Sequence, residues 1–229
     1  MNLDALKQSV FEANVYTVKA GLVVSTFGNA SGIDRAAGVI AIKPSGVPYD
    51  ELKPSDMVVT DLDGRPIGGS LKPSSDLDTH VALYRAFPDI GGVVHTHSTY
   101  ATIFAQSLRP IPPFGTTHAD YFHGTIPITR HLTDEEIATH YIEATGKVVV
   151  EALGNHDPME IPAALVAGHG PFAWGDTPGD AAHNAMILEE VARLAWHTLL
   201  LNPNAVPISN ALLDRHFFRK HGNKASYGQ

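Results

Sequence analysis

Gly91-Gly92-Val93-Val94-His95-Thr96-His97-Ser98 is the stretch around which the rest of the chain can be read. Two glycines and two valines read as a short buried strand, and on a strand residues i and i+2 share a face. His95 and His97 therefore look the same way. Two imidazoles held side by side at a rigid strand end make half of a metal site, because a divalent ion needs neutral nitrogen donors converging at ~2.0 to 2.1 Å. Two histidines merely hydrogen-bonded at a strand end give the same pattern, so the remaining ligands decide between the two readings.

Composition narrows what such a site serves. A chain of 229 residues suits one domain, residues 1–229, with a single sizeable core. Its 44% apolar and 17% charged content marks a folded globular protein. A formal charge of -8 argues against a general nucleic-acid or anionic-membrane surface, so an anionic substrate needs a local binding site. With no cysteine, a metal must use histidine, carboxylate or water. The start lacks a basic and apolar leader pattern, and no later apolar run approaches the ~18 residues of a membrane span. The expectation is a soluble, cytoplasmic protein.

Along the chain, Leu6, Val10 and Phe11 predict a first helix over 4–20 with a glycine stop at Gly21. Leu22 to Ser25 and Val39 to Ile42 read as strands, with Phe27 to Gly32 as a small-residue loop between them. Gly28-Asn29 in that loop reads first as a turn needing positive φ. Lys43-Pro-Ser-Gly46 and its near-copy Lys72-Pro-Ser-Ser75 are bends whose N–H and hydroxyl groups can cradle a phosphate, although Pro-Ser is also ordinary turn chemistry. Met57 to Asp61 predicts a strand and Asp63-Gly64 a hairpin turn.

Asp76 opens a helix leading to the His95 strand, and its plain reading is first-turn charge complementing the helix dipole. Asp78 and His80 read as solvated first-turn residues. Ser98 is placed to cap the next helix. The irregular segment Ile111 to Pro127 is dense in polar groups and holds Asp120, an acid/base candidate. Thr133-Asp-Glu-Glu136 is a capping box that starts a helix closed by Gly146, and Val148 to Val150 fits either a strand or a helix. Ala163 to Ala167 predicts a buried strand ending at Gly168-His169-Gly170, which makes His169 the best third nitrogen ligand. From Asp180 a long helix carries a narrow stripe of small residues. His183 and His197 on it read as packing or surface residues. The last stretch, Asp214 to Gln229, is basic with Tyr227 near its end, and a frayed tail is the plain expectation for a terminus.

Helices and strands alternate and the polar candidates fall at strand ends, which argues an α/β or α+β domain with its site at the sheet margin. His95, His97 and His169 with one carboxylate make a zinc-type shell with room for substrate oxygens. Beside two phosphate bends, that shell points to a metal enzyme acting on a small phosphorylated hydroxy-carbonyl compound.

These residues also carry a resemblance. Gly28-Asn29, Lys43 to Gly46, Lys72 to Asp76, His95-Thr-His97, Gly115-Thr-Thr-His-Ala-Asp120-Tyr-Phe, Gly124 to Pro127, His169-Gly-Pro-Phe-Ala-Trp174, Arg219 to Gly222 and Tyr227-Gly-Gln229 resemble the class II aldolase/epimerase family, in the same order over essentially the whole chain. The Thr-Thr-His-Ala-Asp-Tyr-Phe segment and the Tyr-Gly-Gln end resemble its epimerase branch. The resemblance implies a central mixed or antiparallel β-sheet flanked by helices and a homotetramer with active sites between subunits. It implies Zn2+ on Asp76, His95, His97 and His169, and substrate contacts at Gly28, Asn29, Ser45, Gly46, Ser74 and Ser75. Proton transfer falls to Asp120 and Tyr227, with Tyr227 reaching in from the neighbouring chain, and His216 is a candidate to orient that side. Phe27 stands where relatives often have Trp, and Ala30 where they have a larger apolar residue.

The activity implied is interconversion of L-ribulose 5-phosphate and D-xylulose 5-phosphate. C4 of a 2-ketopentose is two carbons from the C2 ketone, so retro-aldol cleavage of C3–C4 and re-addition is the available route. A related aldolase releasing dihydroxyacetone phosphate, or a noncatalytic sugar-phosphate binder keeping zinc for stability, fits the same motifs.

Overall fold

In the computed structural model, which describes residues 2–221 and 225, six strands form one antiparallel sheet. They are β1 (Asn29–Asp34), β2 (Val39–Ile42), β3 (Val58–Asp61), β4 (Gly92–His95), β5 (Ala163–Val166) and β6 (Gly170–Gly175), in the order β3-β2-β1-β4-β6-β5. The helices are α1 (Leu3–Lys19), α2 (Leu77–Ala86), α3 (Thr99–Gln106), α4 (Thr116–Ala119), α5 (Asp134–Leu153), α6 (Pro178–Leu201) and α7 (Asn210–Lys220). Helices α1, α3 and α6 cover one face of the sheet, and α2 and α5 cover the other. Both faces are therefore buried, as the predicted helix-flanked central sheet requires. Among the described residues no helix is long and apolar enough to cross a membrane.

Strand alternation allots the side chains. Val94 and Ala30 join the core under α6, while Val93 and Ile33 join the core under α2. The α6 face is built from small residues because backbone approaches it closely: a Cβ on Gly92 would stand 2.5 Å from the Pro178 nitrogen, and one on Gly32 would stand 2.6 Å from Pro178 Cγ. The small-residue stripe of α6, with Ala181, Ala185, Ala192 and Ala195 buried, serves the same close packing.

Several sequence expectations are corrected. Leu22 to Ser25 is not a strand, and Asn29 to Gly32 of the stretch read as a loop belong to β1, which is buried along its whole length. Its glycine, serine and alanine residues carry little strand propensity, but the crowding around Gly32 leaves no room for branched side chains. Gly146 does not end a helix. Helix α5 runs through it to Leu153, with a kink at His140, and the glycine lets α2 approach, since a Cβ there would lie 2.5 Å from the Ala82 Cβ. Val148 to Val150 is thus helical. His80 is fully buried rather than solvated. Within the basic last stretch, Asp214 to Lys220 belong to α7 (Asn210–Lys220), which Ser209 caps.

Candidate metal and substrate site

His95 closes β4 directly opposite Asn29 of β1 and Phe172 of β6, so the sheet fixes its backbone from both sides. Its ring stacks on Phe172 at 4.2 Å, and its Nδ1 donates to the Pro171 carbonyl at 2.9 Å. That bond assigns the proton to Nδ1 and leaves the Nε2 lone pair free, the tautomer a metal ligand needs. His97 lies two residues on and brings its Nε2 to 3.2 Å from His95 Nε2. His169 sits in the turn joining β5 to β6, where Gly168 takes φ +69°. Its ring centroid is 4.7 Å from that of His95 and 5.0 Å from that of His97.

One donor atom from each of the three imidazoles falls within 4.8 Å of the other two, so the group could hold a metal ion. Two further observations fit such an ion. His169 Nδ1 is buried without a hydrogen-bond partner, and burial pushes His95 down to about 3, leaving it a neutral donor although Asp76 opposes the shift. His169 is lowered for the same reason, with His97 adding to the effect. His95 is buried, His169 half-buried and His97 exposed, so one side of the group faces open space.

The histidines stand in a cleft of about 390 Å³ that also contains Phe27, Gly28, Asn29, Lys43, Ser45, Gly46, Ser74, Ser75 and Asp76. Phe27 is exposed and its ring stacks on His97 at 5.7 Å. Gly28 has φ +98°, and a Cβ on it would press within 2.9 Å of the His95 carbonyl oxygen. The turn reading of this glycine therefore stands, and its lack of a side chain also lets it seat on the end of β4. Asp76 is the N-cap position of α2, and its Oδ2 accepts a hydrogen bond from Asn29 Nδ2 at 2.7 Å. Burial opposes the Asp76 charge, but His95, His80 and the Asn29 bond together hold its carboxyl below the ordinary value. The imidazoles contribute only when charged, so Asn29 is the partner that persists at neutral pH. The Asp76 carboxylate is not one of the three mutually close donors.

The two Pro-Ser bends are paired with each other. Pro44 lies opposite Pro73, Ser45 N donates to the Lys72 carbonyl at 2.9 Å, and Ser74 N donates to the Lys43 carbonyl at 2.9 Å. The prolines occupy the non-hydrogen-bonded pair of this short ribbon, where a missing N–H costs nothing. Lys43 is buried, donates to the Pro44 and Val47 carbonyls and lies over the Tyr49 ring, and burial lowers its pKa.

Asp120 does not line this cleft. It follows α4, and its carboxylate accepts from His216 Nδ1 at 2.9 Å and from Arg219 Nη2 at 3.2 Å, both on α7. His221 Nε2 donates to the Asp120 carbonyl at 2.9 Å. The contact of Arg219 with Asp120 is not legible in sequence because 99 positions separate them; the basic tail and the Arg219 to Gly222 motif are its visible signs. Tyr227 lies outside the described residues. A larger cleft of about 640 Å³ between α2 and α5 holds the Arg85–Asp63 and Lys147–Glu143 ion pairs and no convergent ligand set.

Residues 8–196 match the Class II Aldolase and Adducin N-terminal domain family, and the chain belongs to it. Its similarity to individual proteins is closer still. It is 53% identical to L-ribulose-5-phosphate 4-epimerase UlaF of Salmonella paratyphi A, over 99% of this chain and 100% of that protein. The same identity and coverage hold for the protein of that name from Salmonella typhi. Among solved structures it resembles an L-fuculose 1-phosphate aldolase at 25% identity with a TM-score of 0.79, covering 94% of this chain and 95% of that one. The L-fuculose-1-phosphate aldolase from Thermus Thermophilus shares the fold, at 24% identity and a TM-score of 0.67 over 87% and 98% of the two chains.

Proposed function

We propose that this chain is a zinc-dependent L-ribulose-5-phosphate 4-epimerase that forms D-xylulose 5-phosphate by retro-aldol cleavage and re-addition across C3–C4. The observation that carries the reading is the convergence of His95, His97 and His169 in one cleft with the paired Pro-Ser bends. The full-length similarity to proteins named for that reaction supports it.

In this reading Asp76 and the three histidines hold the ion, a donor set of nitrogens and one oxygen that suits Zn2+. When bound, the ion supplies Lewis-acid stabilisation of negative charge on substrate oxygens. Gly28, Asn29, Ser45, Gly46, Ser74 and Ser75 bind the phosphate and hydroxyl groups through N–H and hydroxyl donors. Lys43 adds positive charge to that wall of the cleft. Tethering the two-carbon phosphate fragment lets its aldehyde turn over without escaping. Inversion at C4 needs a proton acceptor on one face and a donor on the other, which are the roles of Asp120 and Tyr227. His216 and Arg219 orient the Asp120 carboxylate.

Asp120 stands apart from the cleft of its own chain, and this supports an active site shared between neighbouring copies in a homotetramer. A phosphorylated sugar is confined by membranes, so the cytoplasm is the proposed place of work. The test is product identification from L-ribulose 5-phosphate with and without a chelator. D-xylulose 5-phosphate formed only without chelator is expected, and no turnover with zinc present refutes the reading. The structural likeness to fuculose-phosphate aldolase favours a second reading, a sugar-phosphate aldolase, which requires release of free aldehyde at a rate comparable with epimerisation.

A further inference from the structure

His123 lies three residues beyond Asp120, outside the metal cleft. Its Nδ1 faces Glu160 Oε2 at 3.0 Å and its Nε2 faces Asp214 Oδ1 at 2.7 Å. Both neighbours are carboxylates, which only accept, so the two bonds together require a ring protonated on both nitrogens. The ring stacks on Phe217 at 4.8 Å and meets Phe218 edge-on at 4.9 Å. Asp214, Phe217 and Phe218 fall at i, i+3 and i+4, so one face of α7 is docked on this imidazolium. His221 stacks on Phe217 at 4.3 Å, and Lys220 lies over the Tyr121 ring. Glu160 and Asp214 are thus the charged groups that meet His123 directly.

The neighbouring face of α7 carries His216 and Arg219, the two residues on the Asp120 carboxylate. In α7 itself Leu213 and Phe217 are the buried side chains, a narrow apolar footing for a helix of 11 residues. Polar links must therefore set its position. We propose that His123 is a positioning residue: as an imidazolium clasped between Glu160 and Asp214, it fixes α7 so that His216 and Arg219 stay in register on Asp120. The proposal rests on the reading of Asp120 as an acid/base group. Burial works against charging His123, but Asp214 and Glu160 outweigh it and raise the pKa, so the clasp persists to higher pH than an ordinary imidazole's charge would and is released as pH rises through the raised value.

The test uses the full chain carrying His123→Phe, which keeps the stacking and removes both bonds, and Asp214→Ala, which cuts the link from the helix side. Each is expected to lower kcat roughly 10- to 100-fold with KM for the sugar phosphate little changed, the loss that misplacing a reacting group produces. The double variant should be no worse than either single one. The wild-type alkaline decline in kcat should be absent from His123→Phe, and the NMR titration of His123 should fall to lower pH in Asp214→Ala. A role in packing alone would lower the melting temperature and leave kcat and its pH profile in place. Wild-type kcat in both variants, with the His123 titration unmoved, overturns the proposal. Asp120→Asn separates the two claims. If that variant keeps wild-type kcat, the acid/base reading fails by itself, and amide hydrogen exchange of α7 then decides the clasp, faster exchange in both variants supporting it and unchanged exchange overturning it.

Discussion

Asn29 and Asp76, 47 positions apart, are joined by a 2.7 Å hydrogen bond from the Asn29 amide to the Asp76 carboxylate, tying β1 to the N-cap of α2. Two residues along β1 and one turn along α2, Ser31 meets His80 at 2.7 Å and Tyr84 at 2.8 Å. Farther on, Arg35 donates to the carbonyls of Tyr84, Phe87 and Ile90 at the other end of the helix. The strand period of two and the helix period of about 3.6 thus meet rung by rung, and the uppermost rung carries two residues of the cleft.

Asn29→Asp would set two carboxylates where one amide donor now holds Asp76. Zinc affinity is expected to fall about 10- to 100-fold, the usual cost of losing a partner that orients a ligand. Competition against a chromogenic chelator measures it. An affinity within twofold of wild type would show that Asn29 does not support the site.

Gly146→Ala pits two magnitudes against each other. Alanine in a helix interior gains about 1 kcal/mol over glycine, whereas overpacking costs roughly 1–3 kcal/mol. With the Ala82 Cβ 2.5 Å and the Thr79 carbonyl 3.0 Å from the new methyl, overpacking should win. Urea unfolding should show net destabilisation, and zinc affinity should drop as well because α2 carries Asp76. A stabilised variant would mean that α2 yields freely.

Burial pushes His80 and His118 down to about 4 and His95 to about 3, whereas the unfolded chain protonates near ~6.5. The unfolded state therefore binds more protons below that pH. Metal-free protein should keep its full stability above pH ~6.5 and lose ~1.4 kcal/mol per pH unit for each of these histidines as the pH falls toward 4. Urea midpoints in chelator at pH 7, 6 and 5 provide the check, and a flat series would contradict it.

Mixing His97→Asn chains with Asp120→Asn chains tests the shared site. Each homo-oligomer should be nearly inactive, and mixing should restore part of the activity through sites that take the histidines from one chain and Asp120 from another. Verified hybrids that stay inactive would place both residues in one chain's site.

Legibility in the sequence followed distance along the chain. His95 and His97 could be paired because two positions on a strand share a face, and His169 because glycines flank it at a strand end. The capping box at Thr133 and the glycine stop at Gly21 are likewise local and appear as expected. What sequence spacing could not carry was crowding from distant backbone. The Pro178 region next to Gly32 turns a loop-like stretch into the second central strand, and Ala82 next to Gly146 turns an apparent helix stop into a helix crossing. His80 reads as solvated in sequence because its partner Ser31 lies 49 positions away.

The pairing of Pro44 with Pro73 has a further bearing on how a ligand arrives. Two segments that would otherwise flex separately are laced into one stiff wall, so neither Ser45 nor Ser74 can swing aside alone. Facing that wall, Phe27 lies loosely over His97 with more than half of its surface in solvent. In the proposed function the ribbon is thus the fixed wall offered to a ligand, and the exposed Phe27 ring is the part of the rim with room to move.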